Sequence, residues 1–171
     1  QMLDAEDLEM EHSIEMQMPL IQAVFGNRPL RILPIALELC PLSTIEDIAA
    51  VLQPIIQDPR TLVVVSVNFY RWGEEYGTPV IPDCDAKSIE NLIFNIDRKC
   101  FQLISEGKVG ELHQFYDNAV CNIYGRAPIE IALLGLPQGC TVEWLDYRRS
   151  NPITEETPSC VSYASCAFVT R

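Results

Sequence analysis

Between residues 11 and 25 the apolar positions Ile14, Met18, Ile21, Val24 and Phe25 recur at helical spacing. Pro19 interrupts them, so a helix starts near Pro19 or kinks there, and Gly26-Asn27 closes it. LRILPIALEL, 30–39, reads as a strand with a proline irregularity. Ser43 and Glu46 have the spacing of a capping box and open a helix to about Ile56, and Asp58-Pro59 makes a turn. LVVVSV, 62–67, has no alternation and predicts a central strand buried on both faces. Helices are expected over 83–105, with Ile89, Leu92, Ile93 and Ile96 on one stripe, and over 108–121, with Leu112, Phe115 and Val120. Pro128 suits the first turn of a helix over 128–136. TVEWLDYRR, 141–149, and SCVSYASCAFV, 159–169, read as a strand pair joined by an exposed polar linker, NPITEETP. This order predicts an α/β fold, a mixed sheet flanked by helices. In such sheets ligands bind beyond the carboxyl end of a central strand, which singles out 66–73.

Composition narrows the classes. A chain of 171 residues fits one domain, 1–171, with a real core. No apolar run reaches the roughly 20 residues of a membrane span. Twenty-four acidic against 12 basic residues leave a net charge of −12, which repels phosphate backbones and argues against nucleic acid. Seven widely spaced cysteines, with no C-x-x-C, form neither a disulfide framework nor a zinc ribbon. Free thiols in a reducing compartment are expected, hence an intracellular protein, cytoplasmic or organellar. The first residue is Gln1 and no targeting segment is visible, which reads as a fragment, a processed product or a trimmed chain.

Candidate chemistry is sparse. His12 and His113 are the two histidines. His12, with Glu9, Glu11 and Glu15, reads as a solvated acidic helix start, and His113 as a structural histidine on a helix. No nucleophile elbow, phosphate loop, dinucleotide fingerprint or H-E-x-x-H is present.

Four segments, EHSIEMQMPL, VVVSVNFYRWGEEYG, NAVCNIYGRAPIEIAL and VSYASCAFV, resemble the Memo family in order and spacing over the whole chain. The fold of that family is similar to that of LigB-type, class III extradiol dioxygenases. The resemblance implies the C-terminal part of such a protein, with the sheet incomplete at its N-terminal side and two metal-coordinating histidines absent. It also places His12 on a pocket wall. Where the family reads S-S-D-F-x-H-W-G this chain has Asn68 and Arg71, and where it reads N-T-x-C-G-R-x-P-I the metal-ligand position is Tyr124. Arginine, with a pKa above ~12, cannot shuttle a proton near neutral pH. The resemblance therefore implies a degenerate cleft of His12, Asn68, Arg71, Tyr124 and Arg126, with no catalytic residue, no metal and no cofactor. Arg71, Arg126 and Tyr124 would suit an anion or an acidic peptide end. The implied function is a binding or structural module within a larger assembly, with protein partners covering the face left by the missing part. The alternative is a metal-dependent redox or dioxygenase-like enzyme completed by an upstream half.

Overall fold

The computed structural model describes residues 11–78, 85–117, 123, 125–154 and 159–169. The chain divides into two compact units, 1–38 and 39–171.

In the first unit, α1 (His12–Glu15) is capped by Glu11, whose carboxylate accepts the Ser13 N–H at 2.9 Å. α2 (Met18–Phe25) starts at the proline, with Pro19 in its first turn, and ends at Gly26 with φ 60°. The expected strand over 30–39 is not formed. Those residues run without regular structure and most are exposed. A period-2 apolar pattern becomes a strand only when a neighbour takes its backbone hydrogen bonds.

In the second unit, α3 (Leu42–Ile56) buries Ile45 and Ala49 against α6 (Arg126–Gly135). The capping box is not made. Pro41 is the N-cap and its carbonyl takes the Thr44 and Ile45 N–H groups at 3.0 and 3.1 Å, so the helix starts too early for Ser43 to cap it. α4 (Ala86–Ser105) is capped by Asp85, which accepts the Ser88 N–H at 2.7 Å, and α5 (Val109–Asp117) follows after a turn at Gly107. The chain enters the sheet at β1 (Arg71–Trp72). β2 (Thr141–Arg149) and β3 (Cys160–Val169) form the expected hairpin, in the order β1-β3-β2. Both described ladders are antiparallel, with a register shift between Trp144 and Asp146. Ile153, in the linker expected to be exposed, is buried because it closes one end of the core.

Two buried clusters hold this unit. In one, Cys100, Leu103 and Ile104 of α4 and Leu112 and Tyr116 of α5 meet Phe69, Ile123 and Ile129. In the other, Tyr70, Trp72, Ile93, Ile96, Ile153 and Cys160 pack together. Phe101 lies between the rings of Phe69, at 5.0 Å, and Trp144, at 4.3 Å, and fastens the hairpin to α4.

The main departure from expectation is 62–67. These residues form no strand, and Leu62, Val63, Val64 and Val65 are 68, 42, 49 and 38% exposed. Downstream the same extended chain is paired: the Phe69 N–H donates to Ser162 O at 3.1 Å and the Ser162 N–H to Tyr70 O at 2.9 Å. The run has the composition of a doubly covered strand, but all four residues of 62–65 are left more than a third exposed.

Candidate functional site

The segment beyond the β-branched run is built on buried aromatic anchors. Phe69, Tyr70 and Trp72 point into the two cores, which leaves Asn68 exposed and Arg71 half-buried. The Arg71 guanidinium lies over the Tyr76 ring, 4.2 Å from its centre, and the Thr78 hydroxyl donates to Arg71 O at 2.7 Å. A second run lies beside the first. Ile123 pairs antiparallel with Tyr70, and Gly125, at φ +84°, sits against Val67. A Cβ at Gly125 would come within 3.2 Å of Val67 Cβ, in a backbone region that L residues avoid. Gly125→Ala is therefore expected to cost about 1–2 kcal/mol in a urea melt, and an unchanged melt would remove this contact from the account.

The segment is pinned from below by Asp97, on α4, which is fully buried. Its carboxylate accepts the Tyr70 N–H at 3.2 Å and the Tyr147 hydroxyl at 2.8 Å. Burial pushes the Asp97 carboxyl up, against the hydrogen bonds from Ser162, Tyr147 and Tyr70. Burial, together with the neighbouring Asp97 charge, also pushes the Tyr147 phenol up.

Arg126 begins α6 and donates to Asp117 Oδ1 at 2.7 Å. His113, on α5, stands between two carboxylates, with Nδ1 3.0 Å from Glu130 Oε1 and Nε2 3.6 Å from Asp117 Oδ2. Glu130 is fully buried, and its second oxygen has no hydrogen-bond partner among the described residues. Burial pushes its carboxyl up, opposed chiefly by the His113 charge. His113, Asp117 and Arg126 line an open cleft of about 400 Å³ with Leu39, Cys40, Pro41 and Leu42.

Of the five expected site residues, Asn68 and Arg71 lie on the run that meets Ile123 at Tyr70 and Gly125 at Val67, while Arg126 turns to Asp117. His12 is exposed on α1 in the first unit, and Tyr124 lies outside the described residues. Asp97 and Glu130 were not singled out by the sequence reading. A signal existed for each: Asp97 stands four residues after Ile93 on the apolar stripe of α4, and Glu130 interrupts Ile129 and Ile131.

The metal-ligand position that the resemblance implies, Tyr124, lies outside the described residues, and Asn68 and Arg71 supply neither an imidazole nor a carboxylate where the family pattern has them. Among the described residues no three His, Cys, Asp or Glu side chains are grouped so as to hold a metal ion. No described helix is long and apolar enough to cross a membrane, and the five described cysteines are free thiols.

The model of the family described as Memo-like protein matches residues 1–167. The chain belongs to the Memo family. It is 30% identical over 171 residues to the Protein memo-1 homolog of Caenorhabditis elegans, covering 96% of this chain and 49% of that protein. It is 28% identical over 165 residues to a MEMO1 family protein of Thermococcus onnurineus, covering 92% of this chain and 56% of that one. A third relative, MEMO1 family protein MHO1 of Saccharomyces cerevisiae, is 24% identical over 196 residues, 91% of this chain and 58% of its own length. This Memo chain thus spans about half the length of the curated relatives it matches. Its α/β fold, helices packed on a small antiparallel sheet, is consistent with that membership.

Proposed function

We propose that this Memo chain is a non-catalytic module that acts by binding another polypeptide within a larger assembly. The observation that carries the reading is Arg71. It occupies the position where the family resemblance expects an imidazole, and its guanidinium stacks on Tyr76. An arginine holds its proton throughout the physiological range and cannot act as a general acid or base. What it can do is hold an anion or a carboxylate by directed N–H bonds, and Arg126, already bonded to Asp117, has the same capacity.

The test is elemental analysis of the purified chain after chelator treatment and dialysis against iron, copper or zinc. The expected result is no metal retained above the buffer. One equivalent retained per chain would overturn the reading in favour of a metal-dependent enzyme.

A further inference from the structure

We propose that Cys40 is a thiol–disulfide exchange site for a small disulfide that carries carboxylates, of the glutathione class, and that the cleft at the starts of α3 and α6 seats that ligand. The inference goes beyond the binding reading and does not depend on Arg71.

The first argument is the set of groups around the thiol. Cys40 is free and half-buried, and it shares the wall of the cleft of about 400 Å³ with His113, Asp117 and Arg126, all within the second unit. A nucleophile is activated when a base lies on the same cleft and a third group orients that base. Glu130 is the third group. It is fully buried, its Oε1 lies 3.0 Å from His113 Nδ1, and its Oε2 has no hydrogen-bond partner among the described residues. A buried carboxylate on Nδ1 makes that nitrogen the N–H and leaves Nε2 as the basic one. Nε2 is 3.6 Å from Asp117 Oδ2, so the imidazolium formed when it takes a proton has its counter-charge in place.

The second argument selects the ligand. Leu42 begins α3 and Arg126 begins α6, and both line the cleft. Each helix start presents backbone N–H groups and the positive end of its dipole. Arg126 adds a guanidinium, suited to a carboxylate. Asp117, the carboxylate among the lining residues, is already paired with it at 2.7 Å. Leu39 and Pro41 supply an apolar stretch of wall beside the thiol. The volume is that of a small-molecule pocket. An anionic molecule of peptide size with a disulfide at its centre matches these walls.

The step is a disulfide exchange and needs no oxidant beyond the disulfide itself. The Cys40 thiol gives its proton to His113, directly or through solvent in the open cleft, and its sulfur attacks one sulfur of the ligand. A new S–S bond forms as the old one breaks. The departing thiolate takes the proton back and leaves as a free thiol, with half of the ligand joined to Cys40.

The experiment reads the rate of mixed-disulfide formation at each cysteine by peptide mass spectrometry, with oxidised glutathione and with cystamine, a cationic disulfide. Cys140 is the internal control: it too is free and half-buried, and it is not among the residues that line the cleft. Near neutral pH, oxidised glutathione is expected to modify Cys40 at least about tenfold faster than Cys140, the worth of one hydrogen bond to a charged group. Cystamine should show a smaller ratio. Arg126→Gln should bring the glutathione ratio down to that of cystamine. The ratio should also shrink as pH passes about 8.5, where an ordinary thiol ionises without a base. Equal rates at the two cysteines, a cystamine ratio as large as that of glutathione, indifference to Arg126→Gln or a ratio constant with pH would each overturn the proposal. Metal retention bears only on Arg71 and the non-catalytic reading, so the two can fail separately.

Discussion

Replacing Asp97 by alanine is expected to lower the unfolding free energy by about 3 kcal/mol, the cost of stranding two buried donors. The donors are the Tyr70 N–H, 3.2 Å from the carboxylate, and the Tyr147 hydroxyl, 2.8 Å from it. Both come from elements that α4 must hold, the entry to β1 on one side and the hairpin on the other. Asp97→Asn keeps an acceptor for Tyr70 and is expected to cost much less. It also gives a pH test. Burial raises the folded-state pKa of Asp97 above the ordinary value of 3.8. Between those two values the folded chain holds the proton that the unfolded chain has released, so Asp97's contribution to stability falls as pH rises through that window. Urea melts should therefore show wild type gaining on Asp97→Asn as the solution is acidified from neutral pH toward 3.8. A gap that stays constant with pH would mean that the hydrogen bonds fully offset the burial.

The second large effect is expected at His113. Its removal leaves Glu130 buried with the Oε1 partner gone and Oε2 still without one. Loss of one member of a buried pair costs about 3 kcal/mol. Glu130 can escape part of that cost by protonating, so the deficit of His113→Ala should grow as pH rises and shrink as it falls. Adding Glu130→Leu to His113→Ala should recover most of the loss, because the orphaned carboxyl is then absent. Thermal melts of the two single variants and the double variant measure the coupling directly. Additive losses would mean that the pair is not an energetic unit.

What could be read ahead of the structure was whatever depends on a segment and its own side chains. The stripe Ile89, Leu92, Ile93 and Ile96 foretold α4, and the strand-like runs at 141–149 and 159–169 foretold the hairpin with its partner supplied nearby in sequence. LVVVSV misled because a β-branched run states only that a strand would be stable there, while the strand itself needs a neighbour. Pro41 displaced the capping box because its carbonyl satisfies the first N–H groups without a side chain. The site divides in the same way. Arg71 and Arg126 could be named from their motifs. The buried carboxylates of Asp97 and Glu130 acquire their character from helices and strands brought together across long stretches of chain, to Tyr147 in one case and His113 in the other.

The two tryptophans of the chain fall one to each buried cluster. Trp72 is enclosed with Tyr70, Ile93, Ile96, Ile153 and Cys160. Trp144 rests on Phe101 and gives its indole N–H to Ser105 Oγ at 3.0 Å. Each cluster therefore contains its own intrinsic fluorophore. Emission from a Trp144→Phe variant reports on the Trp72 side of the core alone, and emission from Trp72→Phe on the hairpin and α4. Coincidence of the two optical transitions in denaturant would show the clusters melting as one cooperative body.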